Sequence, residues 1–200
     1  MKIRFFTAVI VLLTLSIIVL DNEIVGKKSK SQIPTTVATS SIIVSSTTMM
    51  RLTSSAFSEK ESIPSVYTCD GSNTSPELSI SGVPVGAKSL VLLMDDPDVP
   101  TSIKADGIFD HWVMYDIEAD TKVIQEGKFS GTLGANGTGK TGYIGPCPPD
   151  RQHRYFFKLY ALDQKLGFPE GKTKQEILSA IEGHVLESSE LIGLYERKKW

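Results

Sequence analysis

Residues 89–95 read SLVLLMD, an unbroken apolar run. Such a run suits a central strand buried on both faces, so the rest of the domain must supply two covering layers. The surrounding sequence is mostly strand-like from Met49 onward. FDHWVMYDI (109–117) is rich in aromatic and β-branched residues. HRYFFKLYALD (153–163) puts Tyr155, Phe157, Leu159 and Ala161 on one face and Phe156, Lys158, Tyr160 and Leu162 on the other. ELIGLYER (190–197) reads as a final strand. Loops rich in Pro, Gly, Asp and Ser separate these runs: DGSNTSP, GVPVGAK, DDPDVPTSIKADG and GANGTGKTGYIGPCPP. One helix is expected. Thr173 and Glu176 fit a capping box, and Ile177, Ala180, Ile181, His184 and Val185 form an apolar stripe. His184 lies on that stripe and reads as a packed residue rather than a functional one.

The chain divides into three parts by composition. Lys2 and Arg4 precede sixteen largely apolar residues, FFTAVIVLLTLSIIVL. A small-x-small cleavage signature does not follow, so 1–28 reads as an uncleaved signal/anchor segment rather than a cleaved signal. The domain behind it is expected outside the cytoplasm, membrane-anchored or secreted. Residues 29–48 are rich in Ser and Thr with little charge, as in a linker. Residues 49–200 form the expected globular domain. The net charge of −2 hides an uneven split, +3 over 1–48 and −5 over 49–200. An acidic domain repels nucleic acid and anionic surfaces at long range, so any anion site in it must be local.

GANGTGKT (134–141) matches a phosphate-binding loop letter for letter. That loop must open a helix whose N-terminus receives the phosphate. Here Gly142, Gly145, Pro146, Pro148 and Pro149 follow, and Gly and Pro at this density exclude a helix. The stretch therefore reads as a flexible loop of small residues, and nucleotide hydrolysis is not expected. Cys69 and Cys147 are the two cysteines. In an exported protein they suit a disulfide; two buried free thiols are the alternative. Three dispersed His and two Cys lack the spacing of a zinc site, and neither metal nor cofactor is expected.

Three stretches carry polar chemistry. In DDPDVP (95–100), Asp96 and Asp98 flank a proline at the exit of the buried strand. In DHWV (110–113), His111 stands beside a bulky Trp. In GPCPPDRQHRYFF (145–157), a proline-rich loop stops before His153, Arg154 and Tyr155. A carboxylate, two imidazoles and a phenol can form a small polar pocket that recognises phosphate or carboxylate through His donors and the Tyr O–H, with a rigid Pro loop shaping its mouth. Each residue also has a plainer reading: turn-bonded Asp, packed strand His, ion-paired Arg.

Together SPELSI, DDPDVP, FDHWVMY, GYIGPCPP and HRYFFKLYALD resemble, in order and spacing, the phosphatidylethanolamine-binding protein family, and in particular its bacterial and archaeal, Raf-kinase-inhibitor-like branch. The resemblance covers about residues 49–198. It implies a mainly β fold, a large antiparallel sheet packed on a smaller one in β-sandwich fashion, with one or two peripheral helices. It also implies an anion pocket for phosphate-like groups, to which Asp96, Asp98, His111, Pro148, Pro149, His153 and Tyr155 correspond, and a binding protein rather than an enzyme. A protein kinase or protease is the partner class it implies, and family relatives often form homodimers. GANGTGKT would then be the variable loop leading into GYIGPCPP. Ile80 stands where the branch usually has Trp, Val99 replaces a common small residue, and no counterpart of the C-terminal helix of eukaryotic members follows the last strand. The site is therefore expected to be open and shallow.

Overall fold

The computed structural model describes residues 49–198, which belong to one compact unit. The anchor and linker expected over 1–48 lie outside the described residues. Among the described residues no helix is long and apolar enough to cross a membrane.

The elements in chain order are β1 (Arg51–Ser54), β2 (Glu61–Ser62), a 3-10 turn (Ser65–Tyr67), β3 (Leu78–Ser81), β4 (Ser89–Asp96), β5 (Phe109–Glu118), β6 (Val123–Ile124), β7 (Thr132–Leu133), β8 (His153–Leu162), α1 (Lys174–Ile181) and β9 (Val185–Tyr195). They form a six-stranded sheet of order β2-β9-β8-β4-β5-β7 and a three-stranded sheet of order β1-β3-β6. Pairing is antiparallel throughout except where β2 joins β9 in parallel at the edge. The fold is thus mainly β, with two sheets and one short helix.

β4 sits in the middle of the larger sheet and all eight of its residues are buried. Its alternation divides the core. Leu90, Leu92 and Met94 point into the main core between the sheets, with Trp112, Met114, Tyr155, Phe157, Leu159 and Leu78. Val91 and Leu93 point the other way, into a smaller core with Val113, Tyr115, Leu162, Ile177 and Ile181 that α1 covers. A strand buried on both faces cannot alternate polar and apolar residues, which is why SLVLLM runs unbroken.

The helix starts as its sequence dictates. The Thr173 side chain accepts from the Glu176 N–H, and the Glu176 carboxylate accepts from the Thr173 N–H at 2.9 Å. Its end is earlier than the apolar stripe predicts. α1 stops at Ile181; Gly183 has φ +79°, and Val185 already belongs to β9. A left-handed glycine terminates a helix at little cost, and the residues beyond it gain more from pairing with β8. His184 accordingly lies outside the helix, partly exposed, with Nδ1 2.9 Å from Asp163 Oδ1.

Residues 134–145 are also more ordered than a flexible small-residue loop. Ala135 bridges Thr141, and Asn136 N donates to Lys140 O at 2.8 Å. Buried Asn136 accepts from Thr138 N through Oδ1 and donates to Gly142 O through Nδ2. A Cβ on Gly137 would fall 2.7 Å from the Phe109 ring, and Gly139 has φ +79°. The glycines thus serve a tight turn packed on Phe109, and no helix follows Lys140 and Thr141.

Candidate functional site

At the C-terminal end of β4 the backbone alternation sends neighbouring carboxylates to opposite faces of the sheet. Asp95 follows Leu93 to the helix side, where Oδ2 accepts from Lys174 Nζ at 2.9 Å and from Lys158 Nζ at 3.1 Å; Lys174 also reaches Asp110 Oδ1 at 2.6 Å. These charges pin the first residue of α1 to the sheet. Asp96 follows Met94 to the opposite side. There Oδ1 accepts from the Asp98 N–H at 2.8 Å and Oδ2 lies 2.7 Å from His153 Nδ1.

His111 reaches the same side through an irregularity. Met94 pairs with Trp112, but Asp95 pairs with Asp110, so β5 carries an extra residue at His111. Without that bulge, His111 would share the helix-side face of Val113. A bulge re-aims a side chain at a strand end, and here it turns the imidazole toward Asp96. His111 Nδ1 donates to Ile144 O at 2.7 Å, and the Ile144 N–H returns a bond to His111 O at 2.9 Å. Phe109 and Tyr155 pack edge-on against the ring, with centroids at 4.8 and 5.2 Å. Burial holds the His111 pKa below 6.5, against the opposing pull of the Ile144 carbonyl and of Asp96, Asp110 and Asp95. The ring is therefore neutral near pH 7, with its proton on Nδ1.

Asp96 and His111 form the polar end of a cavity of about 270 Å³, whose other walls are Val99, Ile103, Phe109, Ile144, Gly145, Cys147 and Pro149. Cys147 is disulfide-bonded to Cys69, with Cα atoms 5.4 Å apart. Both cysteines are exposed, not buried. The bridge ties the wall to the segment after the 3-10 turn. Three hydrogen bonds run alongside it: Cys69 N to Pro146 O at 3.1 Å, Gly145 N to Asn73 Oδ1 at 2.7 Å, and Tyr143 Oη to Tyr67 O at 2.7 Å.

The sequence-predicted residues fall into three groups. Asp96, His111 and Pro149 line the cavity. His153 and Tyr155, fully buried on β8, stand behind it. His153 Nε2 lies 2.8 Å from Asp150 Oδ1, so the ring bridges two carboxylates, and this contact holds the Asp150 carboxyl below its usual range. The Tyr155 hydroxyl is buried and closes no hydrogen bond of good geometry; burial, then the charge of Asp96, raises its pKa. Asp98 and Pro148 do not line the cavity. Asp98 clamps Arg154 through Nη2 at 2.7 Å and Nε at 2.8 Å, and this pairing depresses its pKa. Pro148 faces a neighbouring groove with Asp150, Arg151, Glu196, Arg197 and Lys198. Sequence reasoning missed Ile103, Phe109 and Ile144 as walls, because ordinary apolar residues carry no chemical signal. It also missed Asp150, which the three-residue spacing to His153 could have flagged.

A family model described as phosphatidylethanolamine-binding protein matches residues 53–196. The chain belongs to the phosphatidylethanolamine-binding protein family. A UPF0098 protein of Chlamydia trachomatis is 47% identical over 149 residues, covering 74% of this chain and 99% of the relative. A UPF0098 protein of Methanothermobacter thermautotrophicus is 48% identical over 155 residues, with the same two coverages. The solved structure of a phosphatidylethanolamine-binding protein homologue from Chlamydia trachomatis superposes with a TM-score of 0.74 at 46% identity, covering 75% of this chain and 99% of that one. The Escherichia coli protein YbcL, described as a member of the mammalian phosphatidylethanolamine-binding protein family, superposes at 0.68 with 27% identity, covering 76% of this chain and all of that one. Membership of the phosphatidylethanolamine-binding protein family makes this chain a small ligand-binding protein.

Proposed function

We propose that this chain is a non-enzymatic binding protein whose cavity takes a small phosphoryl or similar anionic head group, and that through this binding it modulates a partner enzyme. The observation that carries the reading is the convergence of Asp96 and His111, from two different strands, on one apolar-walled cavity of about 270 Å³. Concave sites with few polar groups set in apolar walls are the usual form of small-ligand sites. The family name refers to a lipid whose head group contains a phosphoryl group, which agrees with this chemistry.

A second reading is supported by Ile103 and Ile108, which are 64% and 37% exposed in the loop at the cavity's mouth. Exposed apolar side chains beside a site favour a protein contact, as in an inhibitor of a kinase or protease that works independently of the pocket.

Thermal unfolding with phosphoethanolamine, inorganic phosphate and Mg-ATP tests the first reading. A ligand at a hundredfold excess over its dissociation constant adds about 2.7 kcal/mol, which raises the midpoint by roughly 5–10 °C for a domain of this size. A shift with phosphoethanolamine or phosphate that disappears in His111→Ala is the expected result. No shift with either would favour the protein-contact reading. Exposed Lys140 takes no part in the cavity. A shift with Mg-ATP that is lost in Lys140→Ala would instead restore nucleotide binding at GANGTGKT.

A further inference from the structure

The cavity wall from Ile144 to Pro149 is held in two different ways. Its first part is fixed by hydrogen bonds. The Ile144 N–H donates to His111 O, the His111 ring donates to Ile144 O, and the Gly145 N–H donates to Asn73 Oδ1. Gly145 is also closely seated, since a Cβ there would collide with Tyr67 O. Pro146 O accepts from the Cys69 N–H at 3.1 Å. Beyond Pro146 the pattern changes. Among the described residues, Cys147, Pro148 and Pro149 make no backbone–backbone hydrogen bond. The next polar anchor is Asp150, whose Oδ1 lies 2.8 Å from His153 Nε2. Between these two points the covalent tie to the rest of the domain is Cys69–Cys147, and both Cys147 and Pro149 line the cavity.

The bridge lies where a reductant can reach it. Cys69 and Cys147 are both exposed, and neither belongs to either hydrophobic core. The Asp70 carboxylate beside Cys69 is engaged by Tyr195 Oη at 2.7 Å and Arg197 Nε at 3.0 Å, so an incoming thiolate does not meet a bare negative charge. Exposed disulfides are the more readily reduced ones. Breaking this one removes no core packing and leaves the hydrogen bonds up to Pro146 in place. It frees the Cys147 end of a stiff Pro–Pro unit. The fixed φ angles of that unit carry Pro149 along with Cys147 instead of absorbing the movement.

We propose that Cys69–Cys147 is a redox switch on the cavity: reduction by a dithiol releases Cys147 to Pro149 and opens that wall, while both sheets stay folded. The chemistry is a two-step exchange. A thiolate of the dithiol attacks one sulfur of the bridge, the S–S bond breaks, and the other cysteine leaves as a thiolate and takes up a proton. The second thiol of the reductant then displaces the first cysteine, which also leaves as a thiol. The protein gains two electrons and two protons, and the dithiol becomes a disulfide. The switch does not depend on which ligand the cavity takes.

The test treats the full chain with excess dithiothreitol. Alkylation and mass measurement count the thiols, and backbone amide relaxation by NMR reports local order. Both cysteines are expected to be alkylated without denaturant. The order parameter at Cys147 is expected to fall from about 0.85 to below about 0.6, with the amides of β4 and β5 unchanged. Cys69→Ser should show the mobile pattern with or without reductant. A bridge that resists reduction until denaturant is added would overturn the proposal, and so would an unchanged Cys147. Loss of order in β4 and β5 together with Cys147 would overturn it too, because the bridge would then staple the whole domain. Phosphoethanolamine, titrated calorimetrically into both forms, is expected to bind the reduced form at least about tenfold more weakly; this arm rests on the reading above. Equal affinity in the two forms would overturn the proposal. Binding to neither form would remove the phosphoryl reading, and the order parameters alone would then decide the switch.

Discussion

His111 shows how much one side chain's surroundings decide. Its neutral form follows from burial, and its tautomer from one carbonyl, Ile144 O at 2.7 Å. Both have a consequence for stability. The unfolded chain's imidazole titrates near 6.5, and the folded one titrates lower because burial disfavours the cation. Between those values the unfolded chain binds more protons, so the stability held above pH 6.5 is lost as the pH falls toward the folded pKa. Asp98 and Asp150 are held below 3.8 by Arg154 and His153 respectively, so their contributions persist at about pH 5 and are lost only at more acid pH. His111→Asn keeps a donor for Ile144 O but does not titrate. Its thermal midpoint is expected to change less than that of the wild type between about pH 7 and 5. Parallel curves for the two proteins would show that His111 titrates normally in the fold.

At the scale of elements, the site depends on three local devices. β4 ends in two adjacent carboxylates that its alternation sends to opposite faces, the β5 bulge turns His111 toward one of them, and the proline-rich loop is held down by Cys69–Cys147. The bridge spans 78 residues of sequence. Closing a loop of that length is worth about 4.5 kcal/mol in the chain-entropy model, so Cys69→Ser is expected to lower unfolding stability by up to about that amount. Because Cys147 is part of the cavity wall, the variant should also lose some of any ligand-induced shift. Urea denaturation of oxidised wild type and variant measures the first effect, and thermal shift with ligand the second. A loss below about 1 kcal/mol would mean that the neighbouring hydrogen bonds hold the loop without the disulfide.

In the whole molecule, the larger sheet separates two cores with different duties. The cavity opens on the same side as the main core, whereas α1 covers the other side. Met94→Ala and Ile177→Ala each remove a fully buried side chain and are expected to cost about 2–5 kcal/mol. Their effects on binding should differ. Met94 pairs with Trp112 beside the bulge, so its loss should weaken the ligand-induced shift; Ile177 lies across the sheet and its loss should not. Denaturant midpoints with and without ligand distinguish the two. An equal loss of shift in both variants would show that the sheet transmits strain from one core to the other.

Periodicity and local caps were enough to locate β4, β5, β8 and the start of α1, because each depends on residues adjacent in sequence. The unbroken SLVLLM run needs two covering layers whatever else the chain does, and Thr173 with Glu176 caps a helix wherever it lies. Gly142 to Pro149 likewise exclude a helix after Lys140 on local grounds alone. Where α1 ends was decided by pairing between β9 and β8, which the apolar stripe through His184 and Val185 could not reveal. Which charged residues reach the cavity was also decided in three dimensions. Asp96 and Asp98 look equivalent in DDPDVP, yet one faces His153 and the cavity while the other holds Arg154, because strand parity and the turn send them different ways. The bulge that aims His111 is a mismatch of register between two strands. It exists only once β4 and β5 are paired, so the residues of neither strand alone could disclose it.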